Sequence, residues 1–387
     1  MNAADQVLKS RDDKAPLILS SVTGEAEQFS LTSADEPTWL KVGETVSVSQ
    51  LRARLEPWLT ALFQSEHLSL LVGSGLSHGV HHIATAQSLP GMSSTPYFNY
   101  GATIDVDAQR SAQAMGRQFG NLEDQFRSAN ELLRGLDILA TSFPETKAVA
   151  EALRKKVEEK LHAFAQSILQ GEKSLVDAPA KSREDAFNYL VSFLISFGSR
   201  TGTRDRLHIF TTNYDRYIEA GAEVAGLHLM DRFVGSLSPI FRSSRLDVDI
   251  HYNPPGIRGE PRYLEGVAKL TKLHGSIDWF DTARHIRRIA LPFGADNLAS
   301  FLKIPGVSVT GASQLMIFPN SGKDRETAAY PYVDLFRDFA AAAARPNSTL
   351  VCFGYSFGDE HINRVIGDML TIPSTHLVVI SHGDPLG

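Results

Sequence analysis

Four short segments of the chain are predicted to be strands, and each runs into a stretch of glycine or polar residues. They span residues 68–72, 207–211, 267–273 and 349–353, and the first leads directly into Gly73-Ser74-Gly75-Leu76-Ser77. The first segment is almost entirely apolar, which is typical of a strand that is buried on both faces of a parallel sheet. Because helical patterns separate the segments, we predict an α/β fold with a Rossmann-like, doubly wound parallel sheet.

The stretch between the first two of these strands has a different pattern. Apolar residues recur at helical spacing in residues 126–136 and 153–168, and a third helix is expected at about 184–197. Ser182 and Asp185 have the spacing of a capping box at the start of that third helix. We therefore predict that residues 108–204 form an all-helical insert.

The rest of the chain divides around this insert. Residues 1–66 are predicted to be an N-terminal α+β extension, with strands at 17–22 and 45–48 and a helix at 51–63. Residues 67–107 and 205–387 are predicted to form the Rossmann-like domain. Its further elements are expected to be strands at 315–318 and 377–380 and helices at 214–224, 327–344 and 360–370. Residues 236–265 are expected to be a long surface excursion.

Composition excludes several kinds of site. A single cysteine, Cys352, among 387 residues rules out an intrachain disulfide and a four-cysteine zinc module, and it fits a reducing, cytoplasmic location. The net charge of −6 argues against direct nucleic-acid binding, and no apolar run approaches the roughly 18 residues of a membrane helix. His78, His81 and His82 fall in an apparent loop without a cysteine or acidic partner, so we predict no metal site.

The glycine-rich stretch after the first strand has the composition of a phosphate-binding turn. Gly73 and Gly75 would let the backbone approach a phosphate, with Ser74 and Ser77 beside them. The spacing to Gly79 misses the dinucleotide-binding G-x-G-x-x-G pattern by one residue, and no acidic residue follows at the usual ribose-binding distance. Hydride transfer is therefore disfavoured, and a plain strand-to-loop turn stays open as the alternative.

The stretches after the second and third strands carry hydrogen-bonding and titratable groups. Thr212, Asn213 and Asp215 follow the second strand, where they could hold a ribose, a water or a carboxamide, or could cap the next helix. His274 follows the third strand and is suited to general base work, with a structural histidine as the alternative.

The stretch after the fourth strand reads Gly354-Tyr355-Ser356-Phe357-Gly358-Asp359. Gly354 and Ser356 could line a phosphate or a ribose, and Tyr355 lies between them. Asp359 is interpreted as the cap of the following helix. All four stretches are expected at the carboxyl ends of strands, where open α/β sheets bind their ligands.

In this order the four stretches resemble the motifs of the sirtuin family, which read G-A-G-x-S, T-Q-N-x-D, a catalytic His-Gly and G-T-S. The resemblance covers residues near 67–80 and 205–381. It implies that Asn213 and His274 are catalytic. It also implies that the NAD-binding residues are Gly73, Ser74, Gly75, Ser77, Thr212, Asp215, Gly354, Tyr355 and Ser356.

Two departures separate the chain from classical sirtuin deacylases. It lacks the cysteines of their zinc module, and Ser77 is followed by HGVHHIATAQSLPGM in place of a proline-aspartate-phenylalanine-arginine stretch. With its helical insert, the chain is similar to the bacterial sirtuin-like proteins of antiphage defence, which hydrolyse NAD. In size it is most similar to the short member encoded beside a HerA-type ATPase.

The resemblance therefore implies an NAD hydrolase that releases nicotinamide and ADP-ribose and depletes cellular NAD in antiphage defence by abortive infection. It implies NAD as the substrate, no required metal, a homo-oligomer and a HerA-type ATPase partner. Two alternatives stay open: an NAD-dependent protein deacylase or ADP-ribosyltransferase, and a non-catalytic nucleotide-binding scaffold.

Overall fold

The computed structural model describes residues 5–10, 13–25, 27–33, 36–91, 94, 100–200, 204–244, 246, 248–252, 262–282, 284–298, 314–315 and 330–382. Two compact units make up the chain, Met1–Ser65 with Ile380–Gly387 and Glu66–Val379. The division into domains that the sequence suggests stays a prediction.

The strands, in chain order, are β1 (Asp5–Leu8), β2 (Leu17–Ser21), β3 (Gln28–Leu31), β4 (Thr45–Ser47), β5 (His67–Val72), β6 (His208–Thr211), β7 (His228–Met230), β8 (Phe233–Val234), β9 (Ile240–Phe241), β10 (His251–Tyr252), β11 (Arg262–Tyr263), β12 (Val267–Lys272), β13 (Trp279–Asp281), β14 (Ile286–Arg288), β15 (Ser348–Phe353) and β16 (His376–Ile380). The helices are α1 (Val48–Phe63), α2 (Ser74–Thr85), α3 (Gly101–Ala114), α4 (Leu122–Leu139), α5 (Thr146–Val176), α6 (Ala180–Gly198), α7 (Tyr217–Ala225), α8 (Tyr332–Ala343) and α9 (Glu360–Leu370).

The smaller unit contains an antiparallel sheet in the order β1-β2-β3-β4, followed by α1. Alternate residues of β2 point inward, so that Leu17 and Leu19 are buried and lie in one cluster with Leu31. Ser47 caps α1 through a capping box with Gln50. The predicted strands at 17–22 and 45–48 and the helix at 51–63 are present, and β1 and β3 are additional.

The larger unit is built on a six-stranded sheet in the order β16-β15-β5-β6-β12-β7. The pairs β15–β5, β5–β6, β6–β12 and β12–β7 are parallel. Leu70, Leu71 and Val72 are completely buried, as a central strand covered on both faces requires. The predicted α/β fold with a Rossmann-like parallel sheet is therefore confirmed.

The strand order reverses between β5 and β15. From β5 the chain continues through β6 toward β12 and β7, and it later returns to place β15 on the other side of β5. Open α/β sheets bind their ligands at such a switch point, outside the carboxyl ends of the strands. The turns after β5 and β15 therefore mark the expected ligand site.

Helices α3 to α6 occupy the described part of the stretch between α2 and β6. Helices α3, α4 and α5 contribute to one core, in which Phe126, Leu153 and Phe164 are buried, whereas α6 packs against α2 and α7. The capping box predicted at Ser182 is wrong, because α6 already begins at Ala180 with Pro179 as its N-cap. Ser182 is therefore the third residue of α6 and lies inside its first turn.

Other differences between the predicted and the observed structure concern the boundaries of helices and strands. Helix α7 begins three residues later than the predicted 214, because the residues before it belong to the site described below. Of the strand predicted at 315–318, Leu315 forms an isolated bridge to Phe280, and residues 316–318 lie outside the described ranges. The predicted helix 327–344 is observed as α8, and residues 327–329 lie outside the described ranges.

The predicted surface excursion at 236–265 contains β9, β10 and β11, with residues 245, 247 and 253–261 outside the described ranges. Strands β10 and β11 pair with each other, and β9 belongs to a small sheet in the order β13-β14-β9-β8. Within the parts of the chain that the structure describes, the helices are too short or too polar to cross a membrane.

Candidate active site

A cavity of about 370 Å³ lies at the carboxyl ends of β5, β6, β12 and β15. The structure brings nine of the eleven residues predicted for the site together around it. They are Gly73, Ser74, Ser77, Thr212, Asn213, Asp215, His274, Tyr355 and Ser356. A cavity of this size with a few convergent polar groups is typical of a small-molecule site.

The other two predicted residues, Gly75 and Gly354, pack against each other beside the cavity and do not line it. The Gly75 amide donates to the carbonyl of Gly354 at 3.0 Å. A Cβ on Gly75 would lie 2.7 Å from Cα of Gly354, which itself has a φ of +59°. These glycines are needed because two backbones meet at the switch point, with no room for a side chain.

Asn213 is held by two hydrogen bonds from its side-chain nitrogen. Nδ2 donates to the carbonyl of Gly73 and to Oγ of Ser77, each at 3.0 Å. Its backbone amide donates to Oγ1 of Thr211, which in turn donates to the carbonyl of Val72. The turn after β6 is thus tied to the turn after β5, and the amide orientation of Asn213 is fixed.

Asp215 belongs to the same network. Its Oδ1 accepts from Oγ of Ser77 at 3.0 Å and from the amide of Tyr217 at 3.2 Å, at the start of α7. Burial raises the pKa of this carboxyl group, opposed by the nearby Lys272 and by the Ser77 hydrogen bond. The N-cap of α7 is Arg216, so Asp215 is not its N-cap, although it accepts from the first amide of that helix and lines the cavity.

His274 has an acidic partner that the sequence analysis interpreted as a helix cap alone. Nε2 of His274 lies 2.9 Å from Oδ2 of Asp359, and both side chains are largely buried. The other oxygen, Oδ1, accepts from the amides of His361 and Ile362 and so caps α9. Asp359 also lines the cavity. A carboxylate in this position fixes the tautomer and ring orientation of a histidine.

The helical insert supplies residues that the sequence analysis missed. Arg117, Asn121 and Glu123, at and before the start of α4, also line the cavity. Oε1 of Glu123 accepts from the hydroxyl of Tyr214 at 2.7 Å. The ring of Tyr214 lies 6.3 Å from that of His274. No spacing in the sequence indicates these contacts, because they depend on how the insert folds back onto the sheet.

The three clustered histidines occupy a helix, α2, rather than the apparent loop that the sequence suggested. His78 lines the cavity, His81 is buried with its Nδ1 3.2 Å from the hydroxyl of Tyr217, and His82 is exposed. Spacings of three and four residues make the three histidines neighbours on the helix, but their side chains have different surroundings. Throughout the described ranges, no group of three or more His, Cys, Asp or Glu side chains could hold a metal ion.

The arrangement can bind a sugar-phosphate and place an amide and an imidazole beside it. Ser74 at the start of α2 has its backbone N–H in position for an anion, whereas the amide of Gly73 donates to the carbonyl of Phe353. Asn213 offers a fixed amide, and the pair of His274 and Asp359 offers a group able to accept a proton.

Comparison with known proteins bears on this site. No curated protein matches the chain. The matched family region begins at β6 and includes the stretches after β6, β12 and β15, while the glycine-rich stretch after β5 lies before it. Residues 207–385 match the family model of the SIR2-like domain, which supports a sirtuin-like family and implies the involvement of NAD.

Proposed function

We propose that the protein is an NAD hydrolase that cleaves the bond between nicotinamide and ribose. The observation that carries this proposal is the meeting of Asn213 and His274 in one cavity, beside the glycine turn of β5, in a chain with a SIR2-like domain. The chain has one cysteine and therefore no four-cysteine module to frame a peptide groove, which favours water over a peptide as the acceptor.

Bond cleavage places positive charge on the ribose carbon as the glycosidic bond breaks. The electron pair of that bond goes to the nicotinamide nitrogen, which loses its charge, so the leaving group needs no general acid. A water oxygen bonds to the ribose carbon, and the water proton passes to His274. Since Oδ2 of Asp359 accepts a hydrogen bond from Nε2–H of the neutral ring, Nδ1 is the nitrogen that takes the water proton.

Asn213 orients the ribose or the attacking water in this proposal. Its Nδ2 is engaged by Gly73 and Ser77, so its side-chain oxygen is the atom presented to the reacting groups. Asp215 contacts the nicotinamide carboxamide, as the sirtuin resemblance implies. Gly73 and Ser74 hold the diphosphate, and Tyr355 and Ser356 lie toward the adenosine end.

The biological part of the proposal follows from the resemblance alone. Depletion of cellular NAD would stop an infected cell from supporting a phage. Self-association and binding to a HerA-type ATPase would control this activity, since an unregulated NAD hydrolase is toxic to its own cell.

Purified full-length protein, incubated with NAD and followed by chromatography of the products, tests the activity. We expect equal amounts of ADP-ribose and nicotinamide. His274→Ala and Asn213→Ala should each lower the rate by at least about 100-fold, the lower range of what a positioned acid–base group contributes. His82→Ala is the matched control, because this histidine is exposed on α2 and does not line the cavity.

Near-normal rates in both site variants would remove Asn213 and His274 from the mechanism. Acyl-ADP-ribose formed with an acylated peptide would identify a deacylase instead. No loss of NAD, alone or with the HerA-type ATPase added, would favour the non-catalytic scaffold.

A further inference from the structure

The charges around the cavity are unbalanced for a dinucleotide. Three carboxylates line it, those of Glu123, Asp215 and Asp359. The diphosphate of NAD brings two further negative charges. Among the described lining residues, Arg117 is the only lysine or arginine. A diphosphate bound here therefore needs Arg117 as its permanent cation, because backbone N–H groups supply only partial charges.

Arg117 lies at the end of the cavity where the switch-point turns are found. Its Cδ is 3.9 Å from the position that a Cβ on Gly358 would take, and Oγ of Ser356 is 3.5 Å from that same position. Ser356 and Gly358 follow β15, whose turn packs on Gly73 and Gly75 at the start of α2. Arg117 and the N-terminus of α2 thus flank one part of the cavity.

The guanidinium group is fixed before any ligand arrives. Nη1 and Nη2 donate to the two oxygens of Asp124, each at 2.8 Å. Asp124 is buried, and its carboxylate also accepts from the amide of Asn121 in the capping box of α4. The turn between α3 and α4 is therefore rigid where it carries Arg117, and little side-chain entropy remains to be lost on binding.

The cluster formed by Arg117, Arg127 and Asp124 carries one net positive charge. Arg127 Nη2 lies 3.9 Å from Oδ1 of Asp124, so two arginines share one buried carboxylate. The Nε atom of Arg117 is buried and has no hydrogen-bond partner within the described residues. The side chain keeps about a fifth of its surface exposed. It thus offers an unsatisfied donor and a net positive group next to the cavity.

We propose that Arg117, supplied by the helical insert and oriented by Asp124, binds the diphosphate of the substrate. This inference rests on the proposed function and deepens it, because it limits the substrate class to nucleotides with a diphosphate bridge. It also makes the insert part of the substrate site in addition to any role in assembly.

The test measures binding of ADP-ribose by calorimetry to the full-length wild-type protein and to three variants. Arg117→Gln should weaken binding roughly 10- to 100-fold, the value of a hydrogen bond between charged groups. Arg117→Lys keeps the charge but loses the planar guanidinium group, so its affinity for ADP-ribose should fall less than that of Arg117→Gln. Arg127→Gln removes the same charge beside the same carboxylate, away from the cavity lining, and should stay within about threefold of wild type.

A second measurement separates diphosphate binding from a general loss of structure. Inorganic pyrophosphate should compete with ADP-ribose on the wild-type protein and should compete much less on Arg117→Gln, while the thermal midpoints of the two proteins stay close. Equal ADP-ribose affinity in wild type and Arg117→Gln would overturn the inference, as would equal weakening in Arg127→Gln. If wild-type protein neither binds ADP-ribose nor consumes NAD, the proposed function itself fails.

Discussion

His274 and Asp359 lie 85 residues apart in the chain, yet Nε2 of the histidine is 2.9 Å from Oδ2 of the aspartate. The aspartate caps α9 with its other oxygen, so the helix and the imidazole are positioned by one carboxylate. The geometry of the proposed base therefore depends on the start of a helix in a different part of the fold.

The Asp359→Asn variant tests this dependence. Asparagine also caps helices well, so α9 should stay intact while the charged partner of His274 is lost. We expect the turnover rate to fall by at least about tenfold, and we expect His274→Ala with Asp359→Asn to be no slower than His274→Ala alone. Steady-state kinetics of the three proteins measure this. Additive losses would show that Asp359 acts independently of His274.

Removal of the Ser77 hydroxyl should loosen both polar residues that follow β6. Ser77→Ala deletes one hydrogen bond from Asn213 and one to Asp215, each worth about 1 kcal/mol. We expect kcat/KM to fall roughly tenfold and the free energy of unfolding to fall by about 1–2 kcal/mol. Ser196→Ala, which removes a hydroxyl bonded within α6, is the control and should leave kcat/KM unchanged.

The close approach of the two turns at the switch point gives a matched pair of glycine substitutions in α2. Gly75→Ala would place Cβ 2.7 Å from the backbone of Gly354, and we expect a destabilisation of about 1–3 kcal/mol. Gly79→Ala meets no atom within 4 Å and should stabilise the helix by about 0.5–1 kcal/mol. Denaturant unfolding of both variants measures the sign of each change in the free energy of unfolding. Equal changes in the two variants would contradict the close contact between Gly75 and Gly354.

Asp215→Asn should make the protein inactive and, at neutral pH, more stable. Burial raises the pKa of Asp215, so the native state holds this proton more tightly than the unfolded chain does. The aspartate then costs stability as the pH rises from about 4 through its native pKa, and asparagine removes that cost. The free energy of unfolding, measured from pH 7.5 down to pH 4.5, should show the advantage of the variant shrinking toward acid. If the extra stability of Asp215→Asn does not change with pH, the raised pKa of Asp215 is not its cause.

Cys352 should be inert in the native protein. Its side chain lies in the core on β15, and burial raises the pKa of the thiol to about 12. We expect iodoacetamide at pH 8 to label the native protein roughly 1000-fold more slowly than the protein in urea. Mass spectrometry of timed samples measures this rate, and rapid native labelling would mean that β15 opens readily.

The sheet could be predicted because the pattern of a buried strand is visible within a few consecutive residues. The run from Leu68 to Val72 is apolar and ends in glycine, which is enough to predict a buried strand and the turn behind it. The start of α6 could not be placed, because a proline at the N-cap and a serine capping box are both acceptable starts and only packing selects between them.

The site could be predicted only for residues at strand ends. Asn213 and His274 follow strands, so the topology alone brings them to one edge of the sheet. The pairing of His274 with Asp359, and the arrival of Arg117 and Glu123 from the insert, depend on side-chain directions over long separations. Sequence periodicity says which face of a helix is apolar, but it does not say which polar residue faces a cavity.

The contact between Gly75 and Gly354 has a consequence for protein synthesis. The ribosome makes the segment with Gly75, Asn213 and His274 long before it makes β15 and Asp359. Until β15 and Asp359 emerge, the nascent chain lacks part of the cavity wall and the carboxylate beside His274. The complete cavity therefore forms only after nearly all of the sheet has been synthesised.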